Sequence, residues 1–125
     1  MTQHAGLTLE RWRRFDRDRQ VLMIANEMHR GSGPAAPEAR ARCYERVLRL
    51  TDLTAQVGHR PAFRREILRW RDGIAELYLD ARAASARADD GSNGPEGADA
   101  RHFALLRCLL LLSVEAARQR PFVLP

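Results

Sequence analysis

At 125 residues with 45% apolar side chains, the chain is long enough to bury one core and too short for two. Its 21 basic residues are all arginine, which excludes Schiff-base chemistry on lysine and the lysine of a Walker-type phosphate loop. The net charge of +5 attracts acidic partners at long range, although solubility alone accounts for a charge of that size.

The opening stretch MTQHAGLTLE has no apolar core of the signal-peptide kind. Cys43 and Cys108 stand far apart, outside any C-x-x-C spacing, and read as small buried residues of a reducing compartment. A cytoplasmic location is expected. Three loop signals divide the chain: GSGPAAP at 31–37, GHRP at 58–61 and DDGSNGPEG at 89–97. Between them the apolar spacing is helical each time, and no stretch alternates as a strand does.

The first predicted helix covers about 8–30. Thr8 suits its N-cap, and Leu7 and Trp12 have the spacing of a hydrophobic staple. Its apolar face wanders: Trp12 and Phe15 share one side, while Val21, Ile24 and Met28 lie round the other. That pattern predicts either a kink near Arg19 or a second half buried on several sides. The second helix, about 37–57, places Ala39, Cys43, Val47, Leu50, Thr54 and Val57 on one stripe. Opposite them, Glu38 precedes Arg42 by four residues and Glu45 precedes Arg49 by four, the favourable order for ion pairs.

The third helix, about 61–88, has the strictest register. Phe63, Ile67, Trp70, Ile74, Leu77, Ala81 and Ala84 recur at alternating four- and three-residue steps, a seam suited to shallow helix crossing. The fourth, about 99–120, carries Phe103, Leu106, Leu109, Leu110, Leu112, Val114 and Ala117. Four helices with short or flexible connections predict an all-α protein, an antiparallel four-helix bundle in one domain. The acidic, glycine-rich loop 89–98 is expected to be mobile and the tail 121–125 to be a short apolar segment. The most apolar run, FALLRCLLLLSVEAA, is broken by Arg107 and too short to span a bilayer, so no membrane is expected.

Several helical signatures fail on these residues. Di-iron bundles need two Glu-x-x-His pairs, and this chain has only the single relative DARH at Asp99–His102. Helical nucleases that carry an Arg, four to six residues, then His find no match at His4, His29, His59 or His102. Cys108 and His102 lie six apart and so on different helix faces, which separates a nucleophile from its base. No metal, cofactor or catalytic residue is assigned. His29 at a helix end suits the dipole, and His102 falls on the apolar face of the fourth helix. Whether His29, Glu27 or His102 lines a cleft is left open by the sequence. A helix-turn-helix reading of residues 53–71 meets Arg64 where an apolar residue must pack. The segment ARARCYERVLRL is similar to the second helix of a tetratricopeptide repeat, but such arrays need about three copies and one is present.

Two surfaces stand out as candidates. Arg60, Arg64, Arg65, Arg69 and Arg71 crowd the start of the third helix, where acids are preferred and no Ser, Thr, Asp or Asn caps the first turn. Open amides beside guanidinium groups make an anion slot, for a carboxylate on a protein or for phosphate, unless acids of a neighbouring helix such as Asp16 or Asp18 fill it. The second surface is the fourth helix, greasy on almost every side, where Leu105, Leu111 and Leu112 supplement the buried stripe. Self-association through that face is its simplest cover. The expected role is therefore a non-enzymatic interaction or adaptor protein, with a protein partner or a second copy as ligand. Nucleic acid or another polyanion on the arginine cluster is the alternative.

Overall fold

The computed structural model describes residues 7–33, 36–87, 98–113 and 117–118. These residues are helical with no strand among them, in five helices: α1 (Leu9–Arg13), α2 (Arg17–Arg30), α3 (Pro37–Gln56), α4 (Pro61–Ala86) and α5 (Ala98–Leu110). The loop expected over 89–98 (apart from Ala98, which opens α5), the tail 121–125 and Val114 lie outside the described residues. No helix among the described residues is long and apolar enough to cross a membrane.

The helix predicted over 8–30 is two helices. The chain breaks at Arg14–Asp16, ahead of the kink expected near Arg19, because Asp16 caps α2 by accepting from the Arg19 amide at 2.8 Å. Thr8 caps α1 in the same way, from the Arg11 amide at 3.3 Å. At the break the Phe15 carbonyl finds a donor in Gln20, which is fully buried, and the Trp12 carbonyl, already accepting from the Phe15 amide at 3.1 Å, gains a second one. Its side-chain amide donates to the Trp12 carbonyl at 3.1 Å and the Phe15 carbonyl at 2.8 Å. The break explains the wandering face: α1 buries Trp12 against α3, where its indole N–H donates to Thr54 at 2.9 Å, while α2 turns Val21, Ile24 and Met28 inward.

α3 runs at the centre of the packing. It meets α1, α2 and α4, and shares its largest interface with α4. Its buried face is wider than the predicted stripe, for Ala41, Tyr44, Thr51 and Ala55 join Cys43, Val47, Leu50 and Thr54. The two buried threonines cost little, because each hydroxyl donates to the carbonyl four residues back, at 2.7 Å for Thr51 and 2.9 Å for Thr54. The helix stops at Val57, and Gly58 follows with φ at +92°, a left-handed turn that only glycine adopts without strain. α4 buries Phe63, Ile67, Trp70, Ile74, Leu77 and Ala84, as its register predicts. α5 lies against α2 and α4 and ends at Leu110, well short of 120; Leu111 and Leu112 form a turn.

The surface ion pairs expected within α3 do not form in the predicted way. Glu45 accepts from the Tyr78 hydroxyl at 2.9 Å, and Arg49 reaches the Leu7 carbonyl at 3.0 Å. Both residues tie α3 to its neighbours instead of to its own next turn.

The end of α2 packs closely on α3. A Cβ at Gly31 would stand 2.6 Å from the Cys43 sulfur and 3.3 Å from its Cβ. Gly31→Ala is therefore expected to destabilise the fold by about 1–3 kcal/mol through overpacking. Adding Cys43→Ala should restore part of the loss, as residues in contact couple. Thermal denaturation of the single and double variants reads both effects; equal losses in each would place the cost elsewhere.

Candidate functional site

The arginines that crowd the start of α4 separate in three dimensions. Arg71 turns toward α3 and makes a two-point pair with Asp52, 2.5 Å at Nε and 3.4 Å at Nη2, and that hydrogen bonding raises its pKa further. Arg64 donates from Nε to the Ala55 carbonyl at 3.1 Å, serving the last turn of α3. Arg69 lies 3.4 Å from Glu66 on its own helix, both exposed. Arg65 is exposed. Arg60, at the N-cap position of α4, lines a hollow of about 290 Å³ with Asp16, Arg17, Asp18 and His59. The five side chains thus face different neighbours, and two of the acids named as potential fillers stand in the hollow that Arg60 reaches.

The leucines of the last helix divide as well. Leu105 is half-buried, close enough to α4 that a Cβ on Gly73 would meet its side chain at 2.8 Å. Its carbonyl accepts from the Trp70 indole at 2.7 Å. Leu112 packs half-buried on the core. Leu111 is 63% exposed, on an outer face shared with Ala104, Arg107 and Cys108.

Two further constellations emerge from the packing. The first is a polar network sealed between α2, α3 and α5. His102 is wholly buried, with Nδ1 2.8 Å from the Tyr44 hydroxyl, and Nε2 3.1 Å from the Met28 carbonyl and 3.0 Å from the Ser32 hydroxyl. The donors fix the tautomer. Ser32 donates to the Met28 carbonyl at 3.1 Å, so its oxygen is free to accept from the ring. A proton on Nε2 then serves both Met28 and Ser32, and the Tyr44 hydroxyl donates to Nδ1. The opposite tautomer sets a bare nitrogen against a carbonyl oxygen. In this arrangement the histidine does not accept the serine proton, so Ser32 is not an activated nucleophile.

Burial, followed by the Arg40 charge, pushes the pKa of His102 down to about 4. Burial pushes Tyr44 up to about 12 and Cys43 to about 11, the latter helped by Glu27. Arg40 closes the network, donating to the Gly31 carbonyl at 3.1 Å and to Asp99 at 2.7 Å. One helical turn further along α3, the buried Glu27 carboxylate is held by Arg46 and, at 3.2 Å, by Arg30, while its backbone carbonyl accepts from the Cys43 thiol at 3.3 Å. His29 sits exposed in the last turn of α2. Among the described residues no group of three His, Cys, Asp or Glu is placed to hold a metal ion.

The second constellation is an open groove of about 770 Å³ over α3. Leu7 and Leu9 form one wall, Leu48 and Leu53 the floor and Tyr78 of α4 the other wall. Thr8, Glu45, Arg49, Asp52 and Gln56 make its polar rim. The α4 side is braced by the Tyr78–Glu45 bond, by Arg82, which donates to the Tyr78 hydroxyl at 2.9 Å, and by the Arg71–Asp52 pair.

The Glu27 site was legible in part, since Glu27 falls between Ile24 and Met28 on the inward arc of α2. The groove was not, because it depends on where the broken first helix lies across α3. Comparison of the chain with protein-family models, with curated proteins and with solved structures finds no significant match.

The two kinds of ion pair should respond differently to mutation. Arg46→Met removes the closest partner of a carboxylate that is 2% exposed, and a loss of about 3 kcal/mol is expected. Arg69→Met removes an exposed pair and should change stability by less than about 1 kcal/mol. Urea denaturation midpoints separate the two; similar losses would show that Glu27 is not held as described.

Proposed function

We propose that this protein is a non-enzymatic interaction module that takes an amphipathic helical segment of a partner protein into the groove over α3. The observation that carries the reading is the groove itself: four leucines and a tyrosine drawn from three parts of the chain, open along its length and edged by charge. The α3 lining of the groove, rim residues included, runs from Glu45 to Gln56, about 16 Å at 1.5 Å per residue, which suits three turns of a docked helix. Leu48 and Leu53 offer the apolar contacts. Arg49 lies exposed at the rim with a neutral carbonyl as its partner, so a ligand carboxylate improves on what it has.

A binding role rather than catalysis is favoured by the sealing of the polar network, where a buried, neutral His102 is committed at both nitrogens. The helices are read as an antiparallel bundle in one domain and the setting as cytoplasmic, with the cysteines reduced. Self-association through α5 is less favoured than the groove, since of Leu105, Leu111 and Leu112 only Leu111 stands open. The polyanion reading rests on Arg60 and Arg65, the two cluster members with no acid or carbonyl partner among the described residues, and Asp16 and Asp18 oppose Arg60.

A displayed library of helical peptides, selected on the folded protein and counter-selected on Leu48→Glu, tests the groove. Enriched peptides should carry apolar residues three and four apart with an acidic residue. Their affinity should fall at least tenfold in Leu48→Glu and about threefold to tenfold in Arg49→Ala. Peptides that bind the wild type and Leu48→Glu alike, or none at all, would sink the proposal. Binding of single-stranded nucleic acid that weakens steeply with salt, and more so in an Arg60→Ala, Arg65→Ala variant, would favour the polyanion reading instead.

A further inference from the structure

We propose that His102 is the pin of a proton-released latch: when its ring takes up a proton, the first turns of α5 leave α2 and α3 while α3 and α4 stay paired. The inference is independent of the groove. It starts from how α5 is held. Its N-terminal half is fastened by polar groups to three other helices, Asp99 to Arg40 of α3 at 2.7 Å, Arg101 to Asp80 of α4 at 2.5 Å, and His102 to α2 and α3. Its C-terminal half is fastened by apolar burial of Leu106, Leu109 and Leu110. The α3–α4 interface is the largest in the fold and is bridged by its own polar contacts, Arg71 to Asp52 and Tyr78 to Glu45.

The ring fits its site only when neutral. Nε2–H is used by Met28 and Ser32, and the Nδ1 lone pair is used by the Tyr44 hydroxyl. A second proton, on Nδ1, would meet the Tyr44 proton head-on. To accept from Nδ1 instead, Tyr44 would have to aim its hydroxyl proton elsewhere in a buried site, with the Arg40 charge nearby. The groups that face the ring give a cation little support. α2 presents the Met28 carbonyl and the turn after it the Ser32 hydroxyl; α3 presents Tyr44, the Cys43 thiol close by and the Arg40 guanidinium; α5 itself presents Phe103 edge-on and Asp99, which is exposed and engaged by Arg40. With the site wholly buried, the protonated ring has no solvent to turn to.

The direction of the pH effect follows. The docked ring titrates near 4 and a released ring near 6.5, so docking is at full strength above pH 6.5 and weakens as the pH falls toward 4. At pH 5 the open form should be favoured about twenty-fold more than at pH 7, the change approaching tenfold per unit below 6.5.

Native-state hydrogen exchange of the full chain over a urea series, at pH 7 and pH 5, tests this. The amides of residues 102 to 106 should open with a smaller urea dependence than those of Val47 and Ile74, which report unfolding of the α3–α4 pair. Their opening constant should rise about twenty-fold between the two pH values in the wild type, and less than threefold in His102→Gln. The latch is overturned if these amides share the free energy and urea dependence of Val47 and Ile74, because α5 then leaves only when everything unfolds. It is equally overturned if the twenty-fold rise persists in His102→Gln. Should that variant not fold, ¹⁵N shifts of the wild-type ring decide: a docked ring neutral on Nδ1 at pH 5 supports the latch, and one that charges near pH 6.5 while α5 stays protected refutes it.

Discussion

The pairing of α3 with α4 is the constraint on which the other helices depend. The α4 seam of Phe63, Ile67, Trp70, Ile74 and Leu77 is buried along its length, in one core with Val47 and Leu50 of α3, the helix with which α4 shares the largest interface. Burial on that scale supplies the driving force, while the polar bridges at Asp52–Arg71 and Glu45–Tyr78 hold the two helices in register at their solvent edge. With this pair in place, α1 has one side of α3 to cover. α2 and α5 complete the core against α3 and α4 respectively.

What distinguishes the remaining helices is that polar groups are buried where they meet. Gln20 serves the broken end of α1, Glu27 is clamped by arginines between α2 and α3, and His102 joins α2, α3 and α5. Among the described residues no buried side-chain nitrogen or oxygen is left without a hydrogen-bond partner. Such sites add little net stability, yet each is costly to rearrange, because a shifted helix strands a buried donor or acceptor. They therefore fix where α2 and α5 sit more narrowly than leucine packing does. The same property underlies the proton sensitivity proposed for α5, since His102 is a buried titratable group committed at both ring nitrogens.

The two surfaces that attract attention in the sequence differ in outcome for one reason. Arginines and leucines adjacent along a helix diverge by 100° at each step, so a local cluster is shared among several neighbours. Arg64, Arg69 and Arg71 are drawn to Ala55, Glu66 and Asp52, and Leu105 and Leu112 are drawn inward. The groove arises the opposite way, from Leu7, Leu48 and Tyr78, which are remote in sequence and meet only through packing.

The sequence by itself determined that the chain is helical, where α3 and α4 begin, and which face of α4 is buried. Those features follow from proline, glycine and apolar spacing within single helices. It also held the wandering face of residues 8–30, but not the reason, because a cap at Asp16 becomes decisive only once Gln20 can be buried to serve the Phe15 carbonyl at the break. The tertiary structure alone decided the partners of the arginines, the commitment of both nitrogens of His102 and the existence of the groove. Apart from pairs within one helix such as Arg69–Glu66, these depend on groups from at least two helices, and local periodicity carries no information about which helix lies opposite.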